Sequence, residues 1–352
     1  MGKAGMEPLA VIEDFFTGID VGASKIDIAD TLSPTVRRFR TATYGSTEEV
    51  LDYYIQTEQV VPKAIVIGMP GARDDETGVV TPTNNEEIQW PAFDPQVASD
   101  RYGTKIATKN DMEVAAAGVL EETAEDWEQI KPGEVAETGT KLIGTHSSGI
   151  GTSAAIWDRR SERFVIMPAE GGHIGWQPKN EWEIGYLRDL NRHYPHASAE
   201  SSLSGLHGID NLVSYIFSQA DGSVSYANAL GEAIVEDRRA GSPVGATLLE
   251  FATKGDDDAN QDTAQTILRH FGEMTGSALR DLAVATKATG GVYMTGSVAL
   301  GMYEYLAENT KFSQRFVREG APHAKWLEKV PISLIIDPHV AAIGALALAR
   351  DA

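Results

Sequence analysis

The sequence contains no cysteine. Disulfides, thiolate zinc sites and a cysteine nucleophile are therefore excluded. It is also short of positive charge: 30 Lys and Arg stand against 51 Asp and Glu, a formal net charge of -21. Non-specific nucleic-acid binding needs a basic surface, so this balance argues against it, and it disfavours docking on an anionic membrane. The acidity bears on solubility or a salty habitat and does not define a function. No uninterrupted apolar run approaches the roughly 18–20 residues that span a bilayer. The opening stretch, Met1 to Ala10, carries one lysine, an early Glu7 and no long apolar segment, unlike a signal peptide. The expected location is the cytoplasm, with neither nucleic acid nor membrane as partner.

What is present is enough for a folded α/β protein. At 352 residues and 42% hydrophobic, the chain is long enough for two domains or one large α/β unit with a substantial core. Phe15 to Ile28 reads as two strands around a turn at Gly22-Ala23-Ser24, with a third strand over Val36 to Ala42. Ser46 and Glu49 stand at capping-box spacing and open a helix through Val50, Leu51, Tyr54 and Ile55. Ala64 to Ile67 is a short strand running into a turn at Gly68-Met69-Pro70-Gly71, and Lys105 to Lys109 is a strand ahead of a helix from Met112 to Glu122. A second strand–glycine turn–strand follows, from Leu142 through Ser148-Gly149-Ile150-Gly151 to Trp157, and Arg163 to Met167 pairs next. The recurrence near residues 20 and 150 suggests an internal duplication. The middle of the chain is mostly helical, with Ile267, Phe271, Met274, Ala278 and Leu282 on one helical face between Ala264 and Lys287. A strand ending at Gly296-Ser297, a late strand over Val330 to Ile336 and a closing helix over Val340 to Arg350 complete an α/β pattern. Ligands of open α/β sheets collect beyond the carboxyl ends of strands, where Asp20, Asn110-Asp111, Ser147-Ser148 and Gly296 fall.

Several of these positions carry chemistry. Pro168-Ala169-Glu170-Gly171-Gly172-His173 puts a carboxylate and an imidazole on either side of two glycines, which allow a sharp turn and close approach to a ligand. Glu accepts hydrogen bonds and His donates, accepts or both, a fit to a polyhydroxylated molecule. A tight polar turn with a satisfied histidine explains the same residues equally well. The nearby turn at Ser148-Gly149 can hold phosphate, and a hydroxyl reader beside a phosphate loop points to a sugar kinase. In Asp20-Val21-Gly22-Ala23-Ser24-Lys25, Ser24 and the turn N–H groups can donate to phosphate, Asp20 can hold Mg²⁺ directly or through water, and Lys25 can add positive charge. This is not the Walker pattern, and taken alone it fits an ordinary hairpin turn better. Asn110-Asp111 offers a carboxylate to orient an acceptor hydroxyl and take its proton, and either residue also makes a good helix N-cap; both roles can hold at once. Asp256-Asp257-Asp258 reads as an exposed acidic loop rather than a metal site.

Taken together and in order, these segments resemble the bacterial glucokinase family, within the actin-like sugar kinases and related to the ROK kinases. The likeness covers nearly the whole chain. Ile19 to Lys25 resembles the first phosphate motif, Thr83-Asn84 with Trp90 the sugar-side segment, and Asn110-Asp111 the sugar-binding Asn and catalytic-base Asp. Ser148 to Gly151 resembles the second phosphate motif, and Glu170-Gly171-Gly172-His173 the sugar-contacting Glu-Gly-Gly-His. Ser198-Ala199-Glu200 with Leu203-Ser204-Gly205 resembles a segment whose Glu also contacts sugar, and Gly290 to Gly296 the adenosine motif. The resemblance implies two actin-like, ribonuclease H-like lobes with a central cleft, a small lobe of residues 1–111 and 337–352, a large lobe of 112–336, and a homodimer through the large lobe.

It further implies ATP and Mg²⁺ as cofactors and a hexose, glucose first, as substrate. Asp111 would be the catalytic base; Asn84, Asn110, Glu170, His173 and Glu200 would bind sugar. Asp20, Gly22, Ser24, Lys25, Ser147, Ser148, Gly149, Gly296 and Ser297 would bind nucleotide, with Asp20 also on Mg²⁺ through water. Three places depart from the family pattern. Gly22-Ala23-Ser24 replaces Gly-Gly-Thr, Thr145-His146-Ser147-Ser148-Gly149 replaces Gly-x-Gly-Thr-Gly, and Gly296-Ser297 replaces Gly-Gly. The cysteine-based zinc site of many ROK proteins is excluded, which leaves His173 for sugar. Another hexose acceptor (mannose, fructose or an amino sugar) is the alternative. A non-enzymatic sugar sensor is disfavoured, because related repressors carry a DNA-binding domain and here fewer than 20 residues precede Asp20 in an acidic chain.

Overall fold

A computed structural model gives the architecture and describes residues 10–82, 90–122, 126–219, 228–254 and 258–352. The chain divides into two compact units, Met1–Ala124 with Asp337–Ala352, and Glu125–Ile336.

In the first unit β1 (Val11–Val21), β2 (Lys25–Asp30) and β3 (Arg37–Arg40) are followed by α1 (Thr47–Glu58) and β4 (Val61–Met69). Short β5 (Ala72–Arg73) and β6 (Val80–Thr81) precede α2 (Pro95–Tyr102), β7 (Lys105–Asn110) and α3 (Asp111–Glu121). The second unit begins with β8 (Trp127–Lys131), β9 (Lys141–His146), β10 (Ile150–Asp158) and β11 (Arg163–Ala169). Its helices are α4 (Glu181–His193), α5 (Ala199–Leu203), α6 (Gly208–Gln219), α7 (Ala229–Ala240), α8 (Gly245–Lys254) and α9 (Asp258–Thr286). It closes with β12 (Val292–Thr295), α10 (Ser297–Asn309), α11 (Phe312–Val317), α12 (Ala324–Leu327) and β13 (Ile332–Ile335). The chain then returns to the first unit as α13 (Val340–Arg350).

The two main sheets follow one scheme. The first has the order β3-β2-β1-β4-β7, with β1–β2–β3 antiparallel and β1, β4 and β7 parallel. The second has the order β11-β10-β9-β12-β13-β8, with β9–β10–β11 antiparallel and β9, β12 and β13 parallel. β8 is an added antiparallel edge. The recurrence read near residues 20 and 150 is thus a repeat of topology: β1 corresponds to β9, β4 to β12 and β7 to β13.

Local chemistry explains the elements. β4 is buried along nearly its whole length, as a central parallel strand must be. It runs on through Gly68 and Met69, so the turn expected at Gly68-Met69-Pro70-Gly71 starts only at Pro70. Ser46 caps α1 by accepting from Glu49 N, but Glu49 returns its carboxylate to Gly45 N rather than to the cap residue. Ile267, Phe271 and Met274 of α9 are fully buried in the second unit's core, while Ala278 and Leu282 lie at its margin. The expected boundary after Asp111 falls at the start of α3. That helix packs on α13 through Val114, Ala345 and Ala349, so it stays with the first unit.

Candidate active site

In the first unit the candidate residues gather at the carboxyl ends of its parallel strands. Asp20 stands one residue before the end of β1, in register with Asp27 of β2 and Gly68 of β4; Asn110 ends β7 beside Met69. Burial, and after it the nearby Asp111 carboxylate, push the Asp20 carboxyl up to about 7; Asp27 adds to the rise, while Lys25 and Arg38 oppose it. The Gly22–Ser24 turn is held from within and from β3's end. Gly22 N donates to Lys25 O at 2.9 Å, and Thr41 donates through Oγ1 to Gly22 O at 2.7 Å and through N to Ser24 O at 3.1 Å. Ser24 is exposed. Lys25 does not stand free over this turn: its Nζ donates to Pro338 O at 3.0 Å and lies 3.4 Å from Asp27.

Asp27 is fully buried and takes both arms of Arg38, at 2.7 and 2.8 Å, with His339 Nδ1 at 3.2 Å. Burial pushes its carboxyl up, but Arg38 first, then Lys25 and His339, outweigh this and hold it below the usual range. Sequence patterns do not single out Asp27, Arg38 or His339 as braces of the first turn. The only signal is the basic run Arg37-Arg38-Phe39-Arg40 in an acidic chain.

Asn110 is the N-cap of α3. Its Oδ1 accepts from Met112 N at 2.8 Å and its own N–H donates to Glu113, a capping box. Asp111, the first helical residue, also accepts from Met112 N, at 2.9 Å. Thr83 and Asn84 lie outside the described residues. Trp90 is buried in the first unit's core, its indole N–H donating to Tyr44 O at 3.1 Å.

In the second unit the structure joins the candidate motifs directly. The turn between β9 and β10 is Ser147-Ser148-Gly149, closed by Ser147 N donating to Gly149 O at 2.9 Å; Ile150 and Gly151 already belong to β10. Glu170 precedes and His173 ends a 3-10 turn, Gly171–His173, and both side chains are exposed, with Nε2 of His173 3.9 Å from the Glu170 carboxylate. The glycines between them are buried. A Cβ on Gly172 would come within 2.0 Å of Ile150 O, so this glycine serves packing against β10 and not the close ligand approach read from the sequence.

Past His173 the chain pairs with the segment ahead of Glu200, through Trp176 N to Ala197 O at 3.0 Å and Ala199 N to Ile174 O at 2.9 Å. Glu200, in the first turn of α5, reaches the second phosphate turn, its Oε2 accepting from Ile150 N at 3.3 Å. Gly296 has φ 98°, and a Cβ there would lie 2.6 Å from His146 O, so the adenosine turn sits against the phosphate turn only as glycine. Two of the departures from the family pattern meet here: Ser147 Oγ and Ser297 Oγ are 3.0 Å apart. The second unit therefore places sugar-type and phosphate-type motifs in one hydrogen-bonded patch. Asp256 and Asp257 lie outside the described residues, and Asp258 opens α9.

Two units on one strand scheme, each with a hydrogen-bonded turn of phosphate-motif sequence after the first strand of its parallel block, define a protein of the actin-like α/β class. The chain belongs to the glucokinase family, whose sequence model matches residues 20–352. Among its relatives, a glucokinase of Caulobacter sp. (strain K31) is 27% identical over 303 residues, 86% of this chain and 83% of that protein. Among solved structures, a glucokinase from an Antarctic psychrotroph superposes with a TM-score of 0.77 at 21% identity, covering 96% of this chain and 99% of the other. A ROK family glucokinase from Streptomyces griseus, in complex with glucose and AMPPNP, superposes with a TM-score of 0.59 at 22% identity, covering 96% of this chain and 100% of the other. These two likenesses are of fold. Among the described residues no helix is long and apolar enough to cross a membrane.

Proposed function

We propose that this chain transfers the γ-phosphate of ATP to the 6-hydroxyl of glucose, giving glucose 6-phosphate and ADP. The observation that carries the reading is the contact of Glu200 with Ile150 N, which ties a sugar-type carboxylate to the second phosphate turn. The family match and the glucose and AMPPNP of the Streptomyces relative support the same pair of substrates. Asp111 takes the proton of the 6-hydroxyl as its oxygen bonds the γ-phosphorus, and the bond to the β–γ bridging oxygen breaks with its electrons leaving on ADP. Asn110, Glu170, His173 and Glu200 hold the remaining hydroxyls, with Asn84 joining them by its motif. Ser24, Ser147, Ser148 and Ser297, with the N–H groups of Gly149 and Gly296, are the donors offered to phosphate and adenosine, while the Gly22 N–H, bonded to Lys25 O, shapes the first turn. Lys25 acts through Pro338 and Asp27 on the shape of the first turn.

The acidic pair at the first turn fits Mg²⁺. Burial and the like charge of Asp111 raise Asp20's carboxyl, an arrangement a divalent cation relieves, and Mg²⁺ sites in kinases use one or two carboxylates plus substrate phosphates. Bound there through water to Asp20, the ion would offset charge on the transferring phosphoryl group. Water exclusion on sugar binding would limit ATP hydrolysis. The chain is proposed to act in the cytoplasm as a homodimer through its larger unit.

The test is a coupled kinase assay across glucose, mannose, fructose and glucosamine, with ATP, ADP and polyphosphate as donors. Glucose with ATP is expected to give the highest kcat/KM. In the same assay Asp111→Asn, which keeps an acceptor for Met112 N, is expected to fold normally and lose about 10²–10⁴-fold in kcat, the typical worth of a positioned base. Near-normal turnover would remove Asp111 from that role.

A further inference from the structure

His146, the last residue of β9, is only 2% exposed, and both its ring nitrogens are engaged inside the second unit. Nε2 lies 2.6 Å from the carbonyl oxygen of Leu203, which ends α5. A carbonyl only accepts, so Nε2 carries the hydrogen. In the neutral ring Nδ1 is then the acceptor, and the hydroxyl of Tyr303 on α10, 2.9 Å away, donates to it. Burial holds the imidazole neutral by lowering its pKa to about 4, so this tautomer persists around neutral pH.

One side chain thus bridges three segments: the strand that feeds the second phosphate turn, the helix that carries Glu200, and the helix opened by Ser297. Backbone bonds run alongside it. Gly205 N donates to Ser147 O at 2.8 Å and Leu206 N to Ser148 O at 3.3 Å. Ile150 N donates to Glu200, and the Ser147 and Ser297 hydroxyls share a hydrogen bond.

We propose that His146 is a positioning residue that couples sugar binding to nucleotide binding. It touches neither substrate. It makes the end of α5 and the second phosphate turn one braced body, so a sugar that orders Glu200 also orders the donors offered to phosphate. The second ligand then meets a turn whose ordering cost is already met, and by linkage each ligand tightens the other by the same factor. The inference rests on the glucose and ATP assignment above.

The experiment uses the full-length chain, with Tyr303→Phe removing one hydroxyl and His146→Phe removing both ring bonds while keeping an aromatic ring. Calorimetry measures glucose binding with and without a non-hydrolysable ATP analogue and Mg²⁺, and the reverse. Hydrogen exchange follows the amides of residues 147–149 and 203–206. In Tyr303→Phe, exchange is expected to speed up in both segments together. The factor by which each ligand tightens the other is expected to fall about fivefold or more, the scale of ordinary site-to-site coupling. His146→Phe is expected to go further in the same direction; should it fail to fold, Tyr303→Phe decides alone. Weaker binding of each ligand with an unchanged coupling factor would make the role of His146 purely structural and overturn the proposal. So would faster exchange in only one of the two segments. If the unsubstituted chain binds neither ligand, the glucose and ATP reading fails and the coupling with it; intact binding without coupling sinks His146 alone.

Discussion

Burial, and after it the nearby Asp111 carboxylate, raises the Asp20 pKa from 3.8 to about 7. The sign of the consequence follows from proton counting. Between about pH 4 and 7 the folded chain holds a proton at Asp20 that the unfolded chain has released, so this group makes stability fall as pH rises through that window. Asp20→Asn removes the contribution. In urea unfolding without divalent cations, the midpoint of the unsubstituted chain relative to Asp20→Asn is expected to drop between about pH 4 and 8. Adding Mg²⁺ and ATP at about pH 8 is expected to raise the midpoint of the unsubstituted chain more than that of the variant. Parallel pH curves for the two proteins would show that Asp20 is an ordinary carboxylate. The spacing of Asp20 and Ser24 was legible in the sequence as a candidate phosphate turn; the bracing of that turn by Thr41 was not, because Thr41 lies across a strand pair.

At the scale of elements, α3 opens on a residue with one observed and one proposed role. Asn110 caps the helix and is proposed to hold sugar, and the two roles separate by substitution. Ser caps a helix about as well as Asn, whereas Ala costs about 0.5–2 kcal/mol. Asn110→Ser is expected to keep the unfolding midpoint within error and raise the KM for sugar, because Ser is too short to reach the same hydroxyl. Asn110→Ala is expected to raise KM similarly and lower stability as well. Equal KM values for Asn110→Ser and the unsubstituted chain would leave the cap as Asn110's whole role. Most elements were readable from periodicity and turn chemistry, α9 and α13 among them. The end of β4 was misread because Gly68 and Pro70 signal a turn locally, while pairing with β7 extends the strand through Met69.

For the whole molecule, two buried histidines contribute to the acid limb of stability. His146 and His270, the latter stacked on Trp182 at 3.7 Å, both have pKa values lowered to about 4, chiefly by burial, against 6.5 when unfolded. The unfolded chain binds protons there that the folded chain refuses, so their contribution to stability is lost as pH falls from about 6.5 to 4. His270→Gln is expected to flatten part of that slope in urea titrations between about pH 4 and 7. An unchanged slope would place the acid sensitivity elsewhere. The duplication suggested by the recurrence near residues 20 and 150 is seen in full only at this scale, in the matching strand orders β3-β2-β1-β4-β7 and β11-β10-β9-β12-β13.

The sequence by itself determined the α/β class, the family and the chemical identity of the candidate groups, because strand and helix periods, turn residues and motif order are properties of neighbours along the chain. Only the tertiary structure decided which of those groups meet. Glu200 touching the phosphate turn, Ser147 facing Ser297, and His146 bridging Leu203 to Tyr303 join residues 50 to 157 positions apart. The structure also changed the meaning of Gly172, from room for a ligand to room for β10. The physical reason is the same in each case: hydrogen bonds and close packing act over a few ångströms of space, and no local pattern records how far along the chain the partner lies.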